Sequence, residues 1–254
     1  VLKLLPKNTH NVLMLVPFHK AHEACEAVSA IFRAGIIPSA LEFMERDAID
    51  WTLQFVEGLN VHVQPEIQAH LLIEVDGNYP EILMSEAEKI MTVVEQFQID
   101  DILFADTEDE KNALWKMRRS VAEAVKANSV YKEEDTVVPR YELPKLLEGI
   151  KYIGKKYGFQ SVCYGHAGDG NLHVNIIKGT LSDQEWSTEI TKGIREIFEL
   201  TVSLKGTLSG EHGIGYVQKE YMDIAFSKAH LELMERIKFV FDPNGILNPG
   251  KILP

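Results

Sequence analysis

Short apolar runs of strand character alternate with amphipathic helical stretches along most of this 254-residue chain, and that order restricts the fold more than any other feature. "NVLMLVPF" (11–18) reads as a strand, "HKAHEACEAVSAIFRAG" (19–35) as a helix stopped by Gly35, and "IPSALEFMER" (37–46) as a second strand. A helix near 47–57 follows, then strand 69–77, helix 80–97 and strand 101–106. This is a β-α-β-β-α-β order with one inserted helix. After a helix over 108–127 the series restarts, with strand 130–139, helix 142–157, strands 159–166 and 171–177, helix 183–204 and strand 206–210. The pattern predicts an α+β fold in which two ferredoxin-like halves, about 10–107 and 128–212, share one antiparallel sheet with helices on one face. A tail, 216–254, carries two more helical stretches and closes on "FDPNGILNPGKILP", whose Pro and Gly content predicts an extended segment lying on another surface.

Charge narrows the partners. Against 26 basic side chains stand 38 acidic ones, a formal net charge of -12. With no Lys/Arg cluster to offset it, such a chain repels a phosphate backbone, so nucleic acid is excluded as a partner. The two cysteines, Cys25 and Cys163, are far apart and form no C-x-x-C pair, which argues against a disulfide framework or a thiolate zinc site and for a reducing, cytoplasmic setting. No apolar run approaches the roughly 20 residues that a bilayer span needs. The opening "VLKLLPKNTH" lacks a Met and the features of a signal peptide, and reads as the start of a fragment.

The chemistry concentrates in "CYGHAGDGNLHVNI" (163–176). Its Gly-rich "AGDGN" suits a hairpin turn, and a register with His166 opposite His173 sets two imidazoles on one face, Cβ atoms about 5 Å apart. Alternation adds Asn171 and Asn175 to that face and sends Leu172, Val174 and Ile176 to the core. "GTLSGEHGIGYVQKEYM" (206–222) supplies Glu211 and His212 at the end of the next predicted strand. Two histidines and a glutamate are a ligand set for a divalent metal with an open position. Spacing along the chain does not bring these segments together by itself, and a hairpin whose histidines meet water is the plainer reading of the same residues.

"GHAGDGNLHVNI", "SGEHGIG" and "FDPNGILNPGKIL", in that order, resemble the C-terminal half of FAD-linked oxidases of the vanillyl-alcohol oxidase type, in the group of glycolate oxidase, D-lactate dehydrogenase and D-2-hydroxyglutarate dehydrogenase. "LKLLP" and "AGIIPSALEFMERDAID" extend the resemblance over essentially the whole chain. It implies a substrate- and metal-binding cap for a flavin enzyme that oxidises a small D-2-hydroxy acid, with FAD held mainly by an N-terminal FAD-binding domain outside this chain. "GHAGDG" is not the G-x-G-x-x-G turn of a dinucleotide site. The chain alone is thus expected to hold no FAD tightly and to oxidise nothing.

By resemblance, His166, His173 and Glu211 match the ligands of a divalent metal, Zn or Mn, and His212 the acceptor of the substrate's hydroxyl proton. Arg118, in "ALWKMRRS", and Asn175 match substrate-binding positions, and Asn248 a flavin contact. Read from the helix alone, Arg118 is a solvated or snorkelling residue, and Arg119 beside it the same. One position departs from the pattern: where some members carry a substrate-contacting lysine, this chain has Glu133, and Lys132 is offset by one residue, which in a strand reverses the face. An electron-acceptor protein or quinone, a homodimer and peripheral attachment to a membrane through a complex complete the partners this resemblance admits. The alternative from the residues is a flavin-free ferredoxin-like metal module or a metal-dependent hydrolase; a structural cap with a vestigial site is a third.

Overall fold

A computed structural model describes residues 2–59 and 61–254. The described residues form one seven-stranded antiparallel sheet, ordered β4-β1-β3-β2-β6-β7-β5. Its strands are β1 (His10–Phe18), β2 (Ala40–Glu45), β3 (Ala69–Gly77), β4 (Leu103–Ala105), β5 (Tyr131–Val137), β6 (Gln160–Gly165) and β7 (Asn171–Ile177). β2 meets β6 through Phe43 opposite Gly165 and Met44 opposite Tyr164, which fuses the four strands drawn from residues 10–105 with the three drawn from 131–177.

Side-chain alternation gives the sheet two different faces. Met14, Val16 and Phe18 of β1, with Phe43, Leu71, Ile73, Val174 and Ile176, enter a core covered by α1 (Ala21–Arg33), α3 (Pro80–Val94), α5 (Leu143–Tyr157) and α6 (Asp183–Ser203). Leu13, Leu15, Met44, Leu72, Val162 and Tyr164 point the other way, under α2 (Arg46–Phe55) and α4 (Glu108–Asn128). Helices therefore cover both faces, not the one expected. Apolar strand residues on both sides need cover, and α4 presents Leu114, Met117, Val121 and Val125 as one buried stripe. Thr107 and Glu110 fix the start of α4 in a reciprocal capping box, which contributes about 1 kcal/mol.

The predicted strand over 206–210 reduces to a single bridge, Thr207 opposite Val137. In the tail, α7 (Met222–Ala225) and α8 (Lys228–Phe241) form, and α8 buries none of its residues fully. Leu233, Ile237, Val240 and Phe241, spaced i, i+4, i+7 and i+8, make an exposed apolar stripe along it. Among the described residues, no helix is long and apolar enough to cross a membrane.

Candidate metal and substrate site

The second face carries the polar groups. Glu42 shares this face with Met44 on β2, two residues on, and the ladders set Glu133 beside Asn175, Asp135 beside His173, and Tyr164 beside His173. Tyr164, not His166, thus stands opposite His173, two residues from the expected register. The turn accounts for the difference: Ala167–Asp169 forms a 3-10 turn that ends on Gly170 in the left-handed region, φ 78°. A Cβ on Gly170 would lie 2.0 Å from the Val138 carbonyl oxygen, so only glycine fits there. Because the shift is even, the face is kept. The His166 and His173 rings stand edge to face with centroids 5.6 Å apart, although His166 itself lies in the turn beyond β6.

Glu211 and His212 arrive on the loop after α6. Glu211 Oε1 is 3.4 Å from His173 Nε2 and 3.6 Å from His166 Nε2. Both separations are long for hydrogen bonds. They are what a shared ion requires, since bonds of about 2.0–2.2 Å set ligand atoms about 3.3–3.6 Å apart around a tetrahedral centre. The donor atoms of His166, His173 and Glu211 all lie within 4.8 Å of one another, a grouping that could hold a metal ion. His212 stacks on His173, centroids 5.1 Å apart and planes 16° from parallel, with its Nε2 3.8 Å from Glu211 Oε1. Glu133, His173 and His212 form a second, overlapping group of donors within 4.8 Å of one another.

Behind this cluster lies a buried chain of charge. His166 Nδ1 is 2.9 Å from Glu42 Oε1, and Arg118 Nε donates to Glu42 Oε2 at 2.9 Å. The Glu42 hydrogen bond lifts the His166 pKa above its ordinary value despite partial burial. Burial alone would raise Glu42, but His166 and Arg118 together hold it below the usual carboxylate range. Arg118 is only 7% exposed, which corrects the reading of a solvated or snorkelling residue. Arg119, by contrast, is exposed over the Trp115 ring, 5.2 Å from its centroid. Burial pushes the His173 pKa down to about 4 against the pull of Asp135, so its imidazole is neutral and able to ligate.

Among the described residues, several buried polar atoms on this face make no hydrogen bond of good geometry. Arg118 Nη2 lies 2.7 Å from Glu42 Oε2 but makes no aligned hydrogen bond, and Asn175 Nδ2 and His173 Nδ1 make none either. Buried donors left this way are free to meet an ordered water or a ligand. The face is open over the cluster, with the side chains of His166, Glu211 and His212 exposed by 39%, 51% and 46%. The structure thus gathers His166, His173, Glu211, His212, Arg118 and Asn175. Asn248 stays apart: it lies in the exposed segment after α8, and among the described residues its side chain takes a hydrogen bond from Lys251. Asn171 is absorbed into the framework by donating to Asp135. "GHAGDG" joins two strands, which removes it as a phosphate cradle between strand and helix.

A family model described as "FAD linked oxidases, C-terminal domain" matches residues 7–252. The chain belongs to this family. Among relatives of this C-terminal domain, D-lactate dehydrogenase of Anaerostipes hadrus is 33% identical over 99% of the chain and 54% of that protein. Glycolate oxidase subunit GlcD of Bacillus subtilis is 33% identical over 99% of the chain and 53% of its own length. The chain therefore spans about half the length of the curated relatives it matches. A solved 4-ethylphenol oxidase from Gulosibacter chungangensis shares the fold with a TM-score of 0.68 at 15% identity, over 99% of this chain and 55% of that one.

Proposed function

We propose that this C-terminal domain is the substrate- and metal-binding cap of a flavin-dependent dehydrogenase that oxidises a D-2-hydroxy acid of the glycolate or D-lactate class to the 2-oxo acid. The observation that carries this reading is the convergence of His166, His173 and Glu211, whose donor atoms lie within 4.8 Å of one another on the face where, among the described residues, Asn175 Nδ2 and His173 Nδ1 are buried without a hydrogen bond. Unpaired donors of this kind suit a small anion with a hydroxyl beside its carboxylate.

Arg118 and Asn175 hold the substrate carboxylate, and the Glu42 pair keeps the guanidinium in one orientation. His212 accepts the hydroxyl proton at the ring nitrogen that faces the cluster. His166, His173 and Glu211 would hold Zn or Mn, an ion that would supply Lewis-acid polarisation of the hydroxyl. FAD would supply the redox chemistry as the hydride acceptor. In this chain Asn248 and the exposed tail would face that cofactor, and the FAD-binding half would supply most of its contacts. The stripe Leu233, Ile237, Val240 and Phe241 supports docking of that half, because an apolar stripe at helical spacing is normally covered. Family membership argues for the flavin reading over a metal-dependent hydrolase; a flavin absorbance spectrum in the protein that joins both halves separates the two.

Steady-state kinetics on D-lactate and glycolate in that two-half protein test the assignment. His212→Ala is expected to lower kcat about a hundredfold or more with metal content unchanged. Near-parental kcat across pH 6 to 9 would remove His212 as the base.

A further inference from the structure

We propose that Asp135 is a positioning residue: its carboxylate holds the 209–213 loop, and with it Glu211 and His212, against His173. The inference rests on the reading of Glu211 and His212 as working groups of the site.

Asp135 is fully buried on edge strand β5, directly opposite His173 in the ladder. Its Oδ2 accepts three hydrogen bonds from the loop, from the Glu211 backbone N–H at 2.7 Å, the His212 N–H at 2.8 Å and Ser209 Oγ at 3.0 Å. Its Oδ1 accepts from Asn171 Nδ2 at 2.6 Å, and its own backbone carbonyl accepts the Gly210 N–H. The same Oδ1 lies 3.8 Å from His173 Nδ1. A single carboxylate thus touches β7, which carries His173, and the loop that carries Glu211 and His212, 76 and 77 residues away in sequence.

This also explains why the expected strand stops after one bridge. A ladder on β5 would take only alternate N–H groups of this segment, whereas the Asp135 side chain takes the consecutive N–H groups of Glu211 and His212, which turns the backbone out of strand geometry. The loop can lie that close only because residue 210 is glycine. A Cβ there would sit 2.2 Å from Asn171 Nδ2 and 3.1 Å from Asp135 Oδ1.

A carboxylate holds the loop more strongly than an amide can. All three groups at Oδ2 are donors, and the charge of the acceptor strengthens each of those bonds. Asp135→Asn keeps shape and volume but leaves only a neutral amide oxygen for the loop, with its NH₂ turned toward an Asn171 amide that must flip to accept it, so the hold is weakened. Gly210→Ala breaks the same contact from the loop side and leaves the carboxylate in place.

The test is made on the full chain by NMR, with Mn²⁺ titration as a separate arm. In the parent, the Glu211 and His212 amide protons are expected far downfield, as donors to a carboxylate, and the His173 and His212 rings show mutual NOEs. In Asp135→Asn and in Gly210→Ala, both amides are expected to move upfield and the ring NOEs to vanish, while resonances of β1 and β3 stay in place. Mn²⁺ affinity is expected to fall about 10- to 100-fold in both variants, the usual effect of removing a partner that orients ligands. Amides and ring NOEs unchanged in Asp135→Asn would overturn the proposal, as would their loss with Mn²⁺ affinity unaltered. If Asp135→Asn does not fold, Gly210→Ala decides by the same readouts. A parent that binds neither Mn²⁺ nor Zn²⁺ defeats the metal reading, and Asp135 then stands or falls on the amide and ring signals alone.

Discussion

Arg118 balances Glu42 on this face, since both side chains are 8% exposed and pair at 2.7 Å. The proposed function gives it a second job, presenting a donor to the substrate, and the two separate by substitution. Arg118→Ala leaves a buried carboxylate without its cation, a loss of about 3–5 kcal/mol in stability, and also removes the anchor. Arg118→Lys keeps a cation beside Glu42 but not the planar fork. In the two-half enzyme, thermal melts are expected to show Arg118→Lys near the parent and Arg118→Ala well below it, while both raise KM for D-lactate strongly. Unchanged KM in Arg118→Lys would confine the residue to the pair with Glu42. His166, His173, Glu211 and His212 were legible in the sequence because they sit in two short glycine-bracketed motifs. Glu42 and Asp135 were not, because what marks them is a partner far away: His166 is 124 residues from Glu42, and Glu211 is 76 from Asp135.

At the scale of elements, the order of strands and helices follows from apolar period, and the errors fall where side chains override it. The hairpin register slipped by two residues because the left-handed Gly170 and its 3-10 turn take up more chain than a tight hairpin. The residues over 206–210 read as a strand by alternation, yet the Asp135 carboxylate takes the N–H groups that follow. The α2 and α4 cover of the second face follows from the same apolar stripes that marked them as helices, whose direction around the sheet no local pattern encodes. Helix α8 carries the prediction for this scale. Leu233→Glu with Ile237→Glu changes residues already 56% and 53% exposed, so the melting of this chain is expected to shift by no more than about 0.5 kcal/mol in stability. In the two-half protein the same pair should lower the ratio of flavin to protein absorbance after gel filtration. Full flavin retention would mean that the stripe faces something other than the FAD-binding half.

For the whole molecule, three buried groups set the response to acid. His70, 3% exposed with Nδ1 unpartnered, is pushed down to about 4, mainly by burial and further by Arg46. His173 is likewise at about 4, whereas burial raises Glu134 to about 7. A histidine depressed in the fold is fully stabilising above its unfolded pKa of about 6.5 and loses that contribution as pH falls toward 4. Glu134 has the opposite sign, binding its proton in the fold between about 4.5 and 7. Two protons taken up on unfolding against one released leave a net of one, so the metal-free chain is expected to lose about 1 kcal/mol per pH unit between pH 6.5 and 5. His70→Leu should flatten that slope in urea denaturation at several pH values, and an unaltered slope would show that His70 is protonated in the fold.

Those titrations require a metal-free protein because the central claim is that His166, His173 and Glu211 share one divalent ion. The most direct measurement is the stoichiometry of Zn²⁺ bound by the chain after dialysis, by elemental analysis, in the parent, His173→Ala and Glu211→Ala. One ion per chain in the parent, lost in both variants while His212→Ala retains it, is the result the geometry predicts. Equal metal content in all four proteins would contradict it and put the ligands elsewhere.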